Sequence, residues 1–150
     1  MPVITKLDRS NIDAYVAQPG IALLNWGGPR APQSSMFDAA FRDLSEHYPE
    51  VHFAAVDTSK DSELAASWAV AHTPELMAYR DGTLVFDYPG VLPVPAVETL
   101  IDAIGSLNMD EVRRGVDGHG PRLHIVMQPT GSVAFALGGN NDQGPTRPPG

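Results

Sequence analysis

The apolar positions of this chain change period along its length, and the changes mark out its elements. Ile21-Ala22-Leu23-Leu24-Asn25-Trp26 is almost uniformly apolar, as expected of a central strand covered on both faces. Val51 to Val56 reads the same way and ends in Asp57. Between them, Phe37, Ala40, Phe41, Leu44 and Tyr48 recur at spacings of three and four, which predicts a helix with one buried face. Ser34 or Ser35 would cap it and Pro49 would stop it. Upstream, Val3 to Lys6 predicts a short first strand. Asp8 to Ala17 predicts a helix, with Ser10 as N-cap, Ile12, Tyr15 and Val16 on one side, and Pro19-Gly20 at its end.

Downstream, Asp61 or Ser62 can cap a short helix through Leu64, Ala65, Trp68 and Ala69. Leu76 to Tyr79 and Thr83 to Tyr88 predict two strands joined by Asp81-Gly82, a strong two-residue hairpin turn. Pro89-Gly90 breaks the chain. Pro95 then opens a helix whose stripe is Val97, Leu100, Ile101, Ile104 and Leu107. The early strand–helix alternation demands parallel crossovers, and the late hairpin demands an antiparallel pair. A mixed central sheet flanked by helices satisfies both, in an α/β three-layer arrangement.

After Leu107 the character changes. Met109 to Gly115 can extend the last helix, and Val116 to Pro121 is a Gly/Pro-rich connector. Leu123 to Gln128 and Ser132 to Leu137 can form a second hairpin. Two strands alone are marginal in water, so this one should dock on something. From Gly138 onward the composition predicts disorder. The expected division is therefore a domain over 1–107, an extension over 108–137 and a tail over 138–150.

Composition narrows the chemistry. Of the 150 residues 43% are apolar, enough for one domain with a core. The net charge of −8 argues against nonspecific binding to nucleic acid or to an anionic membrane surface. No apolar run approaches the roughly 18 residues needed for membrane insertion. Nor does the N-terminus read as a signal peptide, so the expected location is cytoplasmic. There is no cysteine, which removes disulfides, thiolate nucleophiles and Cys-ligated metal together.

None of the five histidines (His47, His52, His72, His119, His124) is paired at the spacing of a helical metal site, so no metal or cofactor is expected. His72, beside the Thr73-Pro74 turn, could act as a pH-sensitive contact. Asp57, Asp61 and Glu63 read as solvated caps. No Ser-His-Asp signature, phosphate-cradling loop or nucleotide fingerprint is present, and no catalytic residue is assigned.

Three features carry a resemblance to the thioredoxin family over Val3 to about Leu107. They are the spacing from Trp26 through Gly27-Gly28-Pro29-Arg30-Ala31 to Pro32, the Thr73-Pro74 pair before a strand, and the Tyr79-Arg80-Asp81-Gly82 hairpin followed by Pro89-Gly90. The resemblance implies a thioredoxin-like fold. It also implies that Pro74 is cis beside the site, and that Arg30 and Gln33 occupy the two positions where the family carries cysteine. Leu24 stands where the family carries a buried Asp. With both thiols and the proton-handling acid replaced, no thiol–disulfide activity is expected.

Within the superfamily, Pro29-Arg30-Ala31-Pro32-Gln33 and Thr73-Pro74-Glu75 resemble the hydrogenase-operon thioredoxin-like proteins, accessory chaperones that lack both cysteines. That resemblance implies a protein client, the precursor of the hydrogenase small subunit. Gln33 in place of an acid and the long extension depart from that branch.

The expected binding surface comprises Trp26, Arg30, Pro32, Gln33, Thr73, Pro74 and Glu75. Each also has a plainer reading. Trp26 can be core packing, Arg30 a solvated cation at a helix start, Pro32 a rigid first-turn proline, and Glu75 an exposed strand-start acid. Two other functions compete. One is a structural module, a homodimer in which the C-terminal hairpin pairs with a neighbour's sheet edge. The other is a glutathione-binding enzyme that recruits Arg30 and Ser34 or Ser35.

Overall fold

A computed structural model describes residues 4–27, 32–70, 74–90, 92–114, 122–127 and 133–138, with the backbone alone at 32–38, 111, 113–114, 122, 124, 126–127 and 137–138. Its strands are β1 (Ile4–Leu7), β2 (Ile21–Gly27), β3 (His52–Asp57), β4 (Glu75–Arg80), β5 (Thr83–Pro89), β6 (Arg122–Met127) and β7 (Val133–Gly138). The helices are α1 (Ile12–Ala17), α2 (Pro32–His47), α3 (Ser62–Ser67), α4 (Val94–Gly105) and α5 (Met109–Arg114). The five-stranded sheet has the order β1-β3-β2-β4-β5. β3 runs parallel to both β1 and β2, while β4 runs antiparallel to β2 and β5. The mixed sheet expected from the alternation is therefore present.

Strand alternation divides the core into two layers. Leu23, Phe53, Leu76, Ala78, Val85 and Phe86 face one way, against Phe41 and Leu44 of α2 and Val97, Leu100, Ile101 and Ile104 of α4; Leu107, expected in the same stripe, lies past the end of α4 and is partly buried against this layer. On the other face, Leu7, Ala22, Leu24, Trp26, Ala54, Val56, Met77 and Tyr79 meet Ile12 and Val16 of α1 and Leu64 and Ala65 of α3. Strand β2 supplies both layers, which is why its sequence shows no alternation.

Several boundaries differ from expectation for local reasons. Helix α1 begins at Ile12, and its N-cap position is Asn11, not Ser10. The Ser10 N–H and hydroxyl both donate to Asp8 Oδ1, a local turn that competes with the cap. Helix α2 already starts at Pro32, so Ser34 and Ser35 lie inside it and not at its cap. Asp61 does cap α3, accepting from the Leu64 N–H at 3.1 Å. Asp81 and Gly82 both have positive φ, 52° and 84°, as a type I′ hairpin requires.

Beyond α4 the chain does not continue one helix. α5 starts anew after Asn108, whose side chain accepts from the Asp110 N–H at 3.0 Å. The second hairpin is present, with Leu123 opposite Leu137. It docks within its own chain: Leu123 is buried in the α2/α4 layer, and Phe135 stands edge-on to Phe86 with ring centroids 5.3 Å apart. Gly138 pairs with Arg122 as the last residue of β7, and the rest of the expected tail, 139–150, lies outside the described residues. Among the described residues no helix is long and apolar enough to cross a membrane.

Candidate functional site

The carboxyl end of β2 and the amino end of β4 lie side by side. Their antiparallel register sets Trp26 directly opposite Glu75, so Pro74 arrives next to the end of β2. Two segments nearly fifty positions apart in the sequence thereby form one edge. Of the expected binding residues, Trp26, Pro74 and Glu75 are brought together here. Pro32 and Gln33 are the first two residues of α2, the helix that follows β2. Arg30 and Thr73 lie outside the described residues, as does His72.

Trp26 is core: its side chain is 0% exposed. It packs against Trp68 at a centroid distance of 5.9 Å, and Trp68 in turn stands edge-on to Tyr79 at 6.3 Å. Trp26 therefore supports the edge from beneath and offers no face of its own to solvent. Its indole Nε1 is buried and has no hydrogen-bond partner among the described residues. A buried donor left unmet costs about 1–3 kcal/mol, and none of the described residues relieves that penalty here.

Glu75 is not the exposed strand-start acid of the plainer reading. It is 7% exposed, because its place in the register puts it beside Trp26 and opposite Pro89 in the middle of the sheet. Pro74 is buried as well. The edge thus combines an aromatic floor, a buried carboxylic side chain and a proline. Among the described residues no three His, Asp or Glu side chains gather closely enough to hold a metal ion.

Sequence reasoning missed two residues of this region. Asn25 is 1% exposed on the opposite face of β2, and it was legible as the single polar position in the apolar run Ile21 to Trp26. Trp68 was read only as part of a helix face. It is half-buried, and its ring covers Trp26.

Comparison with known proteins fits this geometry. The thioredoxin family model matches residues 3–103. The chain belongs to the thioredoxin family. A putative thioredoxin 2 of Streptomyces coelicolor is 30% identical over 116 residues, covering 77% of this chain and 87% of that protein. Human endoplasmic reticulum resident protein 44 is 30% identical over 118 residues, covering 73% of this chain but 29% of the relative. Among solved structures, a mutant thioredoxin from Halobacterium salinarum superposes with a TM-score of 0.64 at 19% identity, over 70% of this chain and 92% of that one. A thioredoxin from Trypanosoma brucei brucei gives 0.64 at 17% identity, over 70% and 94%. Those structural likenesses establish the thioredoxin fold. The β6–β7 hairpin lies beyond the matched family segment.

Proposed function

We propose that this thioredoxin-family protein is redox-silent and acts by binding. The edge formed by Trp26, Pro74 and Glu75, with Arg30, Pro32, Gln33 and Thr73 around it, holds an extended segment of a client protein. Backbone pairing beside Pro74 gives affinity, and the neighbouring side chains select sequence. One observation supports the reading: the register sets Trp26 opposite Glu75, next to Pro74, in a chain with no cysteine. The resemblance of Pro29 to Gln33 to the hydrogenase-operon branch makes the precursor of the hydrogenase small subunit the specific client. A basic export segment of that client would be drawn to a protein of charge −8.

The test has two arms. In an insulin-reduction assay with dithiothreitol, the protein is expected to add nothing to the uncatalysed rate. Pull-down from the native host during hydrogenase expression should recover the small-subunit precursor, and the variant Glu75→Lys should lose it. Recovery of other clients that E75K also releases would keep the binding role and remove the hydrogenase assignment. Turnover in the first arm would overturn the redox-silent reading.

A further inference from the structure

The client edge has two flanks. In the sheet β4 lies between β2 and β5, so Pro74, at the head of β4, has a neighbour on either side. One is the end of β2, with Trp26. The other is the end of β5, where Pro89 stands opposite Glu75 and Tyr88 opposite Leu76. Strand alternation sends Tyr88 to the face away from Trp26, the one covered by α2 and α4. There it packs half-buried on that layer, one residue before the exposed Pro89.

Two contacts hold the Tyr88 ring. It lies parallel to the ring of Phe86, with 8° between the planes and centroids 6.4 Å apart. Gly90 is the second support. Its φ of +147° is a conformation that residues with a side chain rarely adopt. A Cβ there would come within 3.1 Å of Tyr88 Cε2, so glycine lets the ring rest close to the main chain. Phe86 is fixed in turn from the far end of the chain. It is fully buried, and Phe135 of β7 stands edge-on to it. Both ring pairs fall within the range of about 4.5–7 Å in which aromatic side chains attract one another. A row of three rings therefore runs from the C-terminal hairpin through the core to the client edge. The family match ends at residue 103, so the far end of that row belongs to a part of the chain outside it.

Of the three rings, only that of Tyr88 carries a polar group. Among the described residues no hydrogen bond engages its hydroxyl. Tyrosine offers a large contact area with only two torsions to freeze, and a ring already locked by packing loses least on binding. Its hydroxyl can donate to a main-chain carbonyl or accept from a main-chain N–H. We propose that the C-terminal hairpin is a buttress of the client site: through Phe135 and Phe86 it fixes Tyr88, which lays its ring edge and hydroxyl against the main chain of the extended client segment held at Pro74. Tyr88 is the binding residue, and Phe86 and Phe135 are positioning residues. This assignment rests on the client-binding reading above and gives that site its second flank.

The test uses the full chain, with the hydrogenase small-subunit precursor as probe. Tyr88→Ala should weaken capture about tenfold or more, as loss of an aromatic anchor does. Tyr88→Phe should weaken it about threefold, the size of one neutral hydrogen bond. Phe135→Ala should weaken capture through the untouched Tyr88, and Phe135→Tyr, which keeps the ring, should restore it. In the free protein, F135A should also shift the Tyr88 ring signals in aromatic NMR, at a temperature where its melting curve shows it folded. With p-benzoylphenylalanine in place of Tyr88, irradiation should crosslink the precursor. The same group in place of Thr83, at the other end of β5, should not. Capture lost in E75K but unchanged in Y88A, or equal crosslinking from both positions, would overturn the assignment of Tyr88 and leave the client role standing. Unmoved Tyr88 ring signals in F135A would overturn the buttress. A parent chain that captures no precursor would overturn the hydrogenase client and, with it, the task given to Tyr88.

Discussion

The two ends of the central sheet are built differently. At the end where β2 begins, three turns are tied into one knot. The Gly20 N–H donates to Asp81 Oδ1 at 2.7 Å, and the Asp81 N–H returns to the Gly20 carbonyl at 2.9 Å. Arg80 completes the knot, donating to the Ile104 carbonyl at the end of α4 at 2.7 Å and pairing with Asp81 at 3.3 Å. At the end where β2 finishes stand a buried indole N–H without an acceptor among the described residues and an open cleft. Stability alone favours the first arrangement, since satisfied polar groups rigidify a fold. On the binding function proposed above, the second is an end where a surface is kept for something outside the chain. The contrast separates scaffold from site without any reference to a reaction.

Substitutions at the two ends should therefore part in what they change. The largest effect is expected from Trp26→Ala, which leaves a cavity beneath the edge. It should cost about 3–5 kcal/mol in urea unfolding and abolish client capture as well. If W26A stayed as stable as the parent, Trp26 would not be the floor of the site. Next comes Asp81→Ala at the knot. It strips the acceptor from the Gly20 N–H and should cost about 1–3 kcal/mol, with client capture unchanged. Loss of capture in D81A at a temperature where it is folded would erase the distinction between the ends.

The smallest effect concerns Arg9. Its guanidinium, with the Leu64 N–H, holds Asp61 below the ordinary carboxylate range. A carboxyl whose folded pKa is depressed stabilises the fold above its unfolded value and loses that contribution as pH falls through the folded value. Arg9→Ala should thus lower neutral-pH stability only slightly, since the Arg9 side chain is 61% exposed and the pair is screened by solvent, and leave stability unchanged at pH below the folded Asp61 value. It should raise the Asp61 pKa in a side-chain NMR titration and flatten the acid limb of the stability curve. An unmoved Asp61 titration in R9A would mean the α3 cap alone sets it.

Elements were legible in the sequence where the signal is local. Pro95 within the first turn of α4 and the stripe from Val97 to Ile104 fixed that helix and its buried face. Asp81-Gly82 fixed the hairpin, because few other residue pairs accept two positive φ values. Local competition was harder to read. Ser10 looks like a cap but turns back onto Asp8, and Asn108 restarts a helix that the apolar pattern alone would run on.

The chain by itself determined that there is one mixed sheet under two helical layers, and that no thiol chemistry is available to a protein without cysteine. Both follow from residue type and from periods of two and 3.6, which act over a few positions. Only the tertiary structure decided that Glu75 is buried against Trp26 and that the last hairpin folds back onto α4 and β5. Each of these depends on strand order and register. Those are set by contacts between segments tens of residues apart, which periodicity along the chain does not encode.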